Sequence, residues 1–249
     1  MRSEASMLQS GSSSSAALVI GSSGGLGSAL VAALVDDHRF GCVYALSRSP
    51  RPQTAPNCVS LTADPLDPGS VETALKQVAH PLTRVIVTTG MLHDDLQSPE
   101  KSWRALDTQP LSRSFMINSI APILALKAVI PLLPRDQRTE VAALGARVGS
   151  ISDNRNGGWY GYRASKAALA MLIKTLSIEL SRTHPLSVCA LLHPGTVDTK
   201  MSKPFQSGVE PEKLFTPTYS AAAMLTVLDG LTPADSGNHF AWNGTLIPA

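Results

Sequence analysis

Tyr162 and Lys166 stand four residues apart in GGWYGYRASKAAL, residues 157–169. On a helix that spacing puts both side chains on one face. Tyr160 is six residues from Lys166 and falls on a different face, so Tyr162 is the lysine's partner. A free phenol titrates near pH 10. A nearby ammonium favours the phenolate and lowers that value. Lowering it by roughly three units needs about 4 kcal/mol of differential stabilisation. A phenol so tuned can hand a proton to a carbonyl oxygen, or take one from an alcohol. Alone, Tyr-x-x-x-Lys says little, because amphipathic helices carry such pairs by chance.

A glycine pattern upstream changes its weight. GSSGGLG at 21–27 sets Gly21, Gly25 and Gly27 in a G-x-x-x-G-x-G spacing. It follows the apolar run Ala16–Ile20 and opens a helix-forming stretch, Gly25–Val35. Glycines let the chain turn tightly and let backbone approach a pyrophosphate, while the helix N-terminus offers free N–H groups. Ser23 and Leu26 belong to the same loop and are expected at the cofactor with it. The context of strand before and helix after makes the loop a dinucleotide cradle. A nicotinamide, positively charged when oxidised, would reinforce the effect of Lys166 on Tyr162.

The second apolar run ends in YALSRSPR, residues 44–51. An NAD site places a carboxylate here for the ribose hydroxyls; an NADP site supplies arginine for the 2′-phosphate. No carboxylate is present, and Arg48 is well placed, with Arg51 in support. NADP(H) is therefore expected over NAD(H).

The elements that would carry these residues alternate. Strands are expected at 16–20, 42–46, 58–61, 84–89, 141–144, 187–192 and 239–242. Asp67-Pro68 resembles an N-cap with Pro at the first helical position, opening a helix to about Ala79. Long helices are expected over 106–132 and 160–180, and a shorter one over 219–228. Such alternation predicts an α/β fold with a parallel sheet covered on both faces.

Composition narrows the function classes. Of 249 residues 43% are hydrophobic and 16% charged, which suits a packed core rather than disorder. A net charge of +2 gives no field for nucleic acid or an anionic membrane. Cys42, Cys58 and Cys189 lie far apart, so reduced thiols and a cytoplasmic setting are expected. The apolar stretch 117–133 is broken by Asn118, Ser119, Pro122, Lys127 and Pro131, so no membrane span is expected. The Ser-rich segment 1–15 is expected to be a flexible tail, with one domain over 16–249. His93 and Asp94 are too few to form a metal site.

Taken together, these residues resemble the short-chain dehydrogenase/reductase family. The glycine spacing is that of its T/S-G-x-x-x-G-x-G loop, with Ile20 where Thr is usual. YRASK at 162–166 is similar to its Y-x-A-S-K signature. GMLHDD (90–95), PEKSW (99–103), VGSISDNRNGGWYGYRASKAAL (148–169) and SGNHFAWNGTLIP (236–248) resemble the C-factor-like and sniffer-like carbonyl reductase branch. The resemblance covers about residues 16–248. It implies a single-domain Rossmann fold, a doubly wound parallel sheet of about seven strands.

The resemblance also implies roles. Asn118, in MINSIAP, would kink its helix and hold a water in a proton relay. Asp64 would meet the adenine amino group. Thr88-Thr89-Gly90 stands where the family reads Asn-Asn-Ala-Gly, so only Gly90 agrees closely. In HPGTVDT (193–199), Pro194, Gly195 and Thr199 would hold the nicotinamide carboxamide, and Val197 would pack near the ring. The family's carbonyl-binding serine belongs to a Ser-Ser pair whose place is taken here by Gly145-Ala146. Ser150, twelve residues before Tyr162, either takes that role through a rearranged loop, or no serine does; Ser152 is ten before. Losing one such donor costs roughly 10²–10³ in rate.

The expected activity is NADPH-dependent interconversion of a small carbonyl compound and its alcohol. The alternative is a cofactor-binding signalling or regulatory protein of the C-factor type, with weak or no turnover. Residues 200–216 are expected to form a mobile substrate lid, with Met201 and Phe205 on its apolar side. A homodimer or homotetramer is expected, because the two long helices carry more apolar surface than one sheet face needs.

Overall fold

The computed structural model describes residues 15–50, 52 and 55–249. The expected tail, apart from Ser15, and Arg51 lie outside the described residues.

Short runs of Val, Leu, Ile and Ala make the strands. They are β1 (Ala16–Ile20), β2 (Cys42–Ser47), β3 (Cys58–Thr62), β4 (Leu82–Val87), β5 (Thr139–Leu144), β6 (Ser187–His193) and, last in the chain, β9 (His239–Ala241). They form one sheet in the order β3-β2-β1-β4-β5-β6-β9. Every pairing in it is parallel. β1, β2 and β5 are buried along their whole length, as strands covered on both faces must be. Two further short strands, β7 (Thr196–Val197) and β8 (Leu214–Phe215), pair with each other beside this sheet.

Helices cover both faces. α1 (Gly25–Val35) and α6 (Pro217–Gly230) bury Leu30, Leu34, Met224 and Leu228 on one side. α2 (Pro68–Leu75), α4 (Ala121–Val129) and α5 (Tyr160–Thr183) bury Val71, Leu126, Leu169 and Ile173 on the other. The strand order reverses between β1 and β4, where the loops part and open a crevice at the strands' carboxyl ends.

The expected helix over 106–132 is not continuous. It divides into α3 (Thr108–Phe115), a widened π turn at Met116–Ile120, α4, and a tight turn at Ile130–Leu132. Pro122 and Pro131 each lack an N–H, and the Asn118 side chain bonds outside the helix. By length and composition the run 108–132 is apolar enough to cross a membrane. Here it lies on the sheet, burying Ala125, Leu126 and Val129.

Other boundaries moved less. α2 has the expected cap, with Asp67 accepting from Gly69 N–H at 3.0 Å, but it ends at Leu75. β4 ends at Val87 because Thr88 turns its hydroxyl onto Ile20 O and Gly21 O, both at 3.0 Å. The segment expected as a mobile lid carries turns at Lys203–Phe205 and Pro211–Lys213, and β8 ties it to β7.

Candidate active site

The glycine loop follows β1 and is braced from β4. Gly21 has φ +91°, and a Cβ on it would meet Thr88 Oγ1 at 2.6 Å. A Cβ on Gly27 would meet Gly21 O at 2.3 Å, so α1 starts pressed against its own loop. Both positions require glycine. Gly25 is held differently: its missing Cβ would lie 3.1 Å from Thr199 Cγ2, so the 193–199 segment closes over the loop. Thr88 is a functional residue that the sequence marked only as a departure from the family pattern.

Ser23, Gly25, Leu26 and Gly27 line a cavity of about 1040 Å³, which continues past Gly90, Tyr162 and Lys166 to Pro194, Gly195, Val197 and Thr199. Gly24 is also on this wall, and a Cβ on it would meet nothing closer than Gly21 O at 3.6 Å, so the space above the loop is open. The loop, the α1 N-terminus and the 194–199 wall therefore fit the pyrophosphate and nicotinamide end of a dinucleotide. Arg48 and Asp64 stand outside this cavity, at the ends of β2 and β3. Arg48 is exposed. The Asp64 carboxylate accepts from Leu66 N–H at 3.0 Å.

Tyr162 and Lys166 both come from the first turns of α5 and both reach the cavity. The helix starts from an unusual entry. Gly157 and Gly158 have φ +61° and +64°, and Trp159 follows with φ 52°. The Trp159 N–H donates to Glu100 O, which holds the turn.

The electrostatics run opposite to the expected direction for the phenol. Lys166 Nζ donates to Leu144 O at 2.7 Å and sits 6.0 Å from the Tyr162 ring centroid. With the ammonium tied to the end of β5, burial dominates: the Tyr162 phenol is pushed up to about 12. Burial also draws Lys166 down to about 8.

Asn118 is fully buried in the π turn. Its Oδ1 accepts from Met91 N–H at 2.7 Å, and its Nδ2 donates to Met91 O at 2.9 Å and Ser165 Oγ at 3.0 Å. It thus pins the loop after β4 to α5, beside Gly90. A Cβ on Gly90 would lie 3.4 Å from Lys166 Nζ and 3.5 Å from Asn118 Oδ1, so Gly90 and Lys166 line the cavity with Asn118 buried behind them.

Ser150 is not in the cavity wall. Its Oγ accepts from Asp153 N–H at 3.1 Å and reaches Ala249 O at 3.5 Å. Ser152 likewise donates to Ala249 O. Counting along the chain misplaced Ser150, because the tight turn Arg147–Gly149 redirects the loop after β5. The cavity wall at the end of β5 is Leu144, Gly145 and Ala146.

Two histidines unremarked as site residues stand nearby. His193, at the end of β6, lines the cavity, and His239 lies beside Gly145. Burial above all holds His193 down at about 4 and His239 at about 3, with the positive charge of Lys166 adding to both. Met201 and Phe205 also line the cavity. Phe205 packs edge-on against Trp159 and His93, with centroids 5.1 and 5.4 Å apart. His93 also bonds Met201 O at 3.1 Å, and Asp94 pairs with Arg113, so this loop anchors the segment after β7.

Comparison with known proteins shows the family and the fold. C-signal of Myxococcus xanthus is 38% identical over 149 residues, which span 59% of this chain and 84% of that protein. The carbonyl reductase Sniffer of Drosophila melanogaster superposes with a TM-score of 0.81 at 23% identity, over 94% of this chain and 99% of its own. An NADPH-bound carbonyl reductase from chicken fatty liver superposes with a TM-score of 0.78 at 27% identity, over 94% of this chain and 98% of its own. The family model for short chain dehydrogenases matches residues 15–210. That match takes in the glycine loop, the Tyr162–Lys166 turn and the wall after β6, and it makes the chain a member of the short chain dehydrogenase family.

Proposed function

We propose that the protein interconverts a small, partly apolar carbonyl compound and its alcohol with NADP(H). One observation carries the reading: a single cavity is lined at one end by the glycine loop and at the other by Tyr162 and Lys166. A bound nicotinamide would supply or accept the hydride. Tyr162 holds the proton at its hydroxyl, and burial keeps it there, which suits a general acid. Lys166 keeps a positive charge beneath Tyr162 by its bond to Leu144 O. Asn118 holds the Met91 loop and α5 in one geometry. The apolar lid residues Met201 and Phe205 exclude water from the far wall.

NADP(H) is preferred in this reading because β2 ends without a carboxylate and Arg48 is exposed just after it. The NADPH bound to the chicken carbonyl reductase supports the same choice. Three buried free thiols, Cys42, Cys58 and Cys189, support a reducing, cytoplasmic setting. The exposed apolar stripes of the 108–132 segment and of α5 support a homo-oligomer.

The test is fluorescence titration with NADPH and NADH, followed by a panel of ketones and aldehydes in the same cuvette. NADPH is expected to bind more tightly and to be consumed. Tyr162→Phe should keep NADPH affinity and lose turnover by roughly 10²–10⁴. Turnover that survives this change would sink the reading. The lack of a hydroxyl at Gly145-Ala146, with the likeness to C-signal, favours one alternative: a cofactor-binding signalling protein. Tight NADPH binding without consumption would select it.

A further inference from the structure

Leu144, Gly145 and Ala146, at the end of β5, offer the cavity no polar side chain; Arg147 follows them in the wall. The space over Gly145 is nevertheless filled. A Cβ there would lie 2.4 Å from His239 Nε2 and 2.9 Å from its Cε1. His239 therefore stands where a side chain at position 145 would stand, and the two exclude each other. The histidine arrives from β9, where it pairs with Leu191. His193 lies two residues beyond Leu191 on β6 and so projects from the same sheet face. That face carries α5.

His193 lines the cavity. Its Nδ1 and the Nε2 of His239 are both enclosed, and neither has a hydrogen-bond partner among the described residues. Buried polar atoms are rarely left so, and two at neighbouring strand ends, not bonded to each other, point to a ligand. The charged groups facing the pair are Lys166 from α5 and Arg147 from the turn after β5. Both cations favour neutral imidazoles. A neutral imidazole carries one N–H and one acceptor, and it can polarise a carbonyl.

We propose that these two histidines do the work of the absent serine. His193 donates a hydrogen bond to the substrate's carbonyl oxygen from the cavity wall. His239, in the space of a residue-145 side chain, is a positioning residue that fills the end of β5 beside His193. This rests on the oxidoreductase reading above.

The experiment compares His193→Phe, His193→Gln, His239→Phe, His239→Ala and the double variant Gly145→Ser/His239→Ala, using a carbonyl the wild type reduces. NADPH affinity and melting temperature are followed alongside kcat and KM. His193→Phe is expected to lower kcat by about 10²-fold with a much smaller change in KM, as for one lost oxyanion donor. His193→Gln keeps an N–H and should recover part of that loss. His239→Phe should lower kcat less. The double variant opens room for a serine hydroxyl and should exceed His239→Ala in kcat. Full kcat in His193→Phe overturns the assignment. So does a joint fall of melting temperature, NADPH affinity and kcat with no recovery in the glutamine or double variants, which marks packing alone. If the wild type consumes no NADPH with any carbonyl, the functional reading falls and this assignment with it. Wild-type turnover beside an unaffected His193→Phe removes this assignment only.

Discussion

Lys166 is buried to 4% exposure, and its charge is held in the fold at a cost. Its folded value, about 8, lies below the ordinary 10.5. Between those two values the native lysine is neutral while the unfolded one keeps its proton. The unfolded state then binds more protons, so stability rises with pH across that window. The slope for one proton is about 1.4 kcal/mol per pH unit. Lys166→Met has no such group. Urea denaturation of both proteins across this window should show the difference moving steadily in favour of the wild type. A difference that stays flat with pH would mean that Lys166 titrates as an exposed lysine. At this scale the sequence was legible where chemistry is local. Tyr162 and Lys166 are one helical turn apart, and periodicity alone pairs them. Spacing says nothing about burial, which in the chain alone pushes the phenol up rather than down. Spacing left open whether Ser150 reaches the site, for a related reason: distance along a loop is not distance to a cavity. The contact of His239 with Gly145 joins two strands far apart in sequence, and no local pattern carries it.

Elements were legible from their apolar runs, and their breaks were legible only in part. Pro122 and Pro131 were visible in the 106–132 stretch, yet the π turn depends on Asn118 finding Met91, a contact outside the helix. The sheet also holds a charged pair that its apolar pattern hides. Arg84 on β4 stands opposite Glu140 on β5, and Arg84 Nε donates to Glu140 Oε2 at 2.5 Å. Arg84 also pairs with Asp229 at the end of α6, while Arg138 pairs with Glu140. Arg84 is 1% exposed, so the pair is a desolvated one. Removing only the arginine leaves the buried Oε2 of Glu140 without its partner, with Arg138 still on Oε1. Arg84→Met should cost roughly 3–5 kcal/mol in chemical denaturation. Arg84→Met with Glu140→Leu should return most of that, because apolar replacement of both partners removes the desolvation penalty. The pair lies at the far end of the strands from the cavity, so NADPH affinity should hold in both variants. Equal losses in the single and double variants would show that the network contributes through packing rather than charge.

At the scale of the molecule, strand–helix alternation predicts a doubly wound sheet, and the sheet order has that form. Its helical faces are not equally finished. On α5, Met171 is 67% exposed and Ile178 47%, seven residues apart on one stripe. Alongside, Met116 and Ile120 are 43% and 38% exposed, one turn apart. α3 and the π turn both pack against α5, so the two stripes belong to one surface. A second copy of this chain is the simplest cover, since a two-fold contact needs one self-complementary patch of about 800 Å² per partner. Light scattering of the wild type should give a multiple of 26.2 kDa. Met171→Lys with Ile178→Lys places like charges at the centre of that patch and should return the single-chain mass. Both residues are exposed, so the fold and NADPH affinity of the separated chain should remain. A wild type that already runs at the single-chain mass at micromolar concentration would remove the oligomer. The stripes would then be ordinary exposed apolar surface.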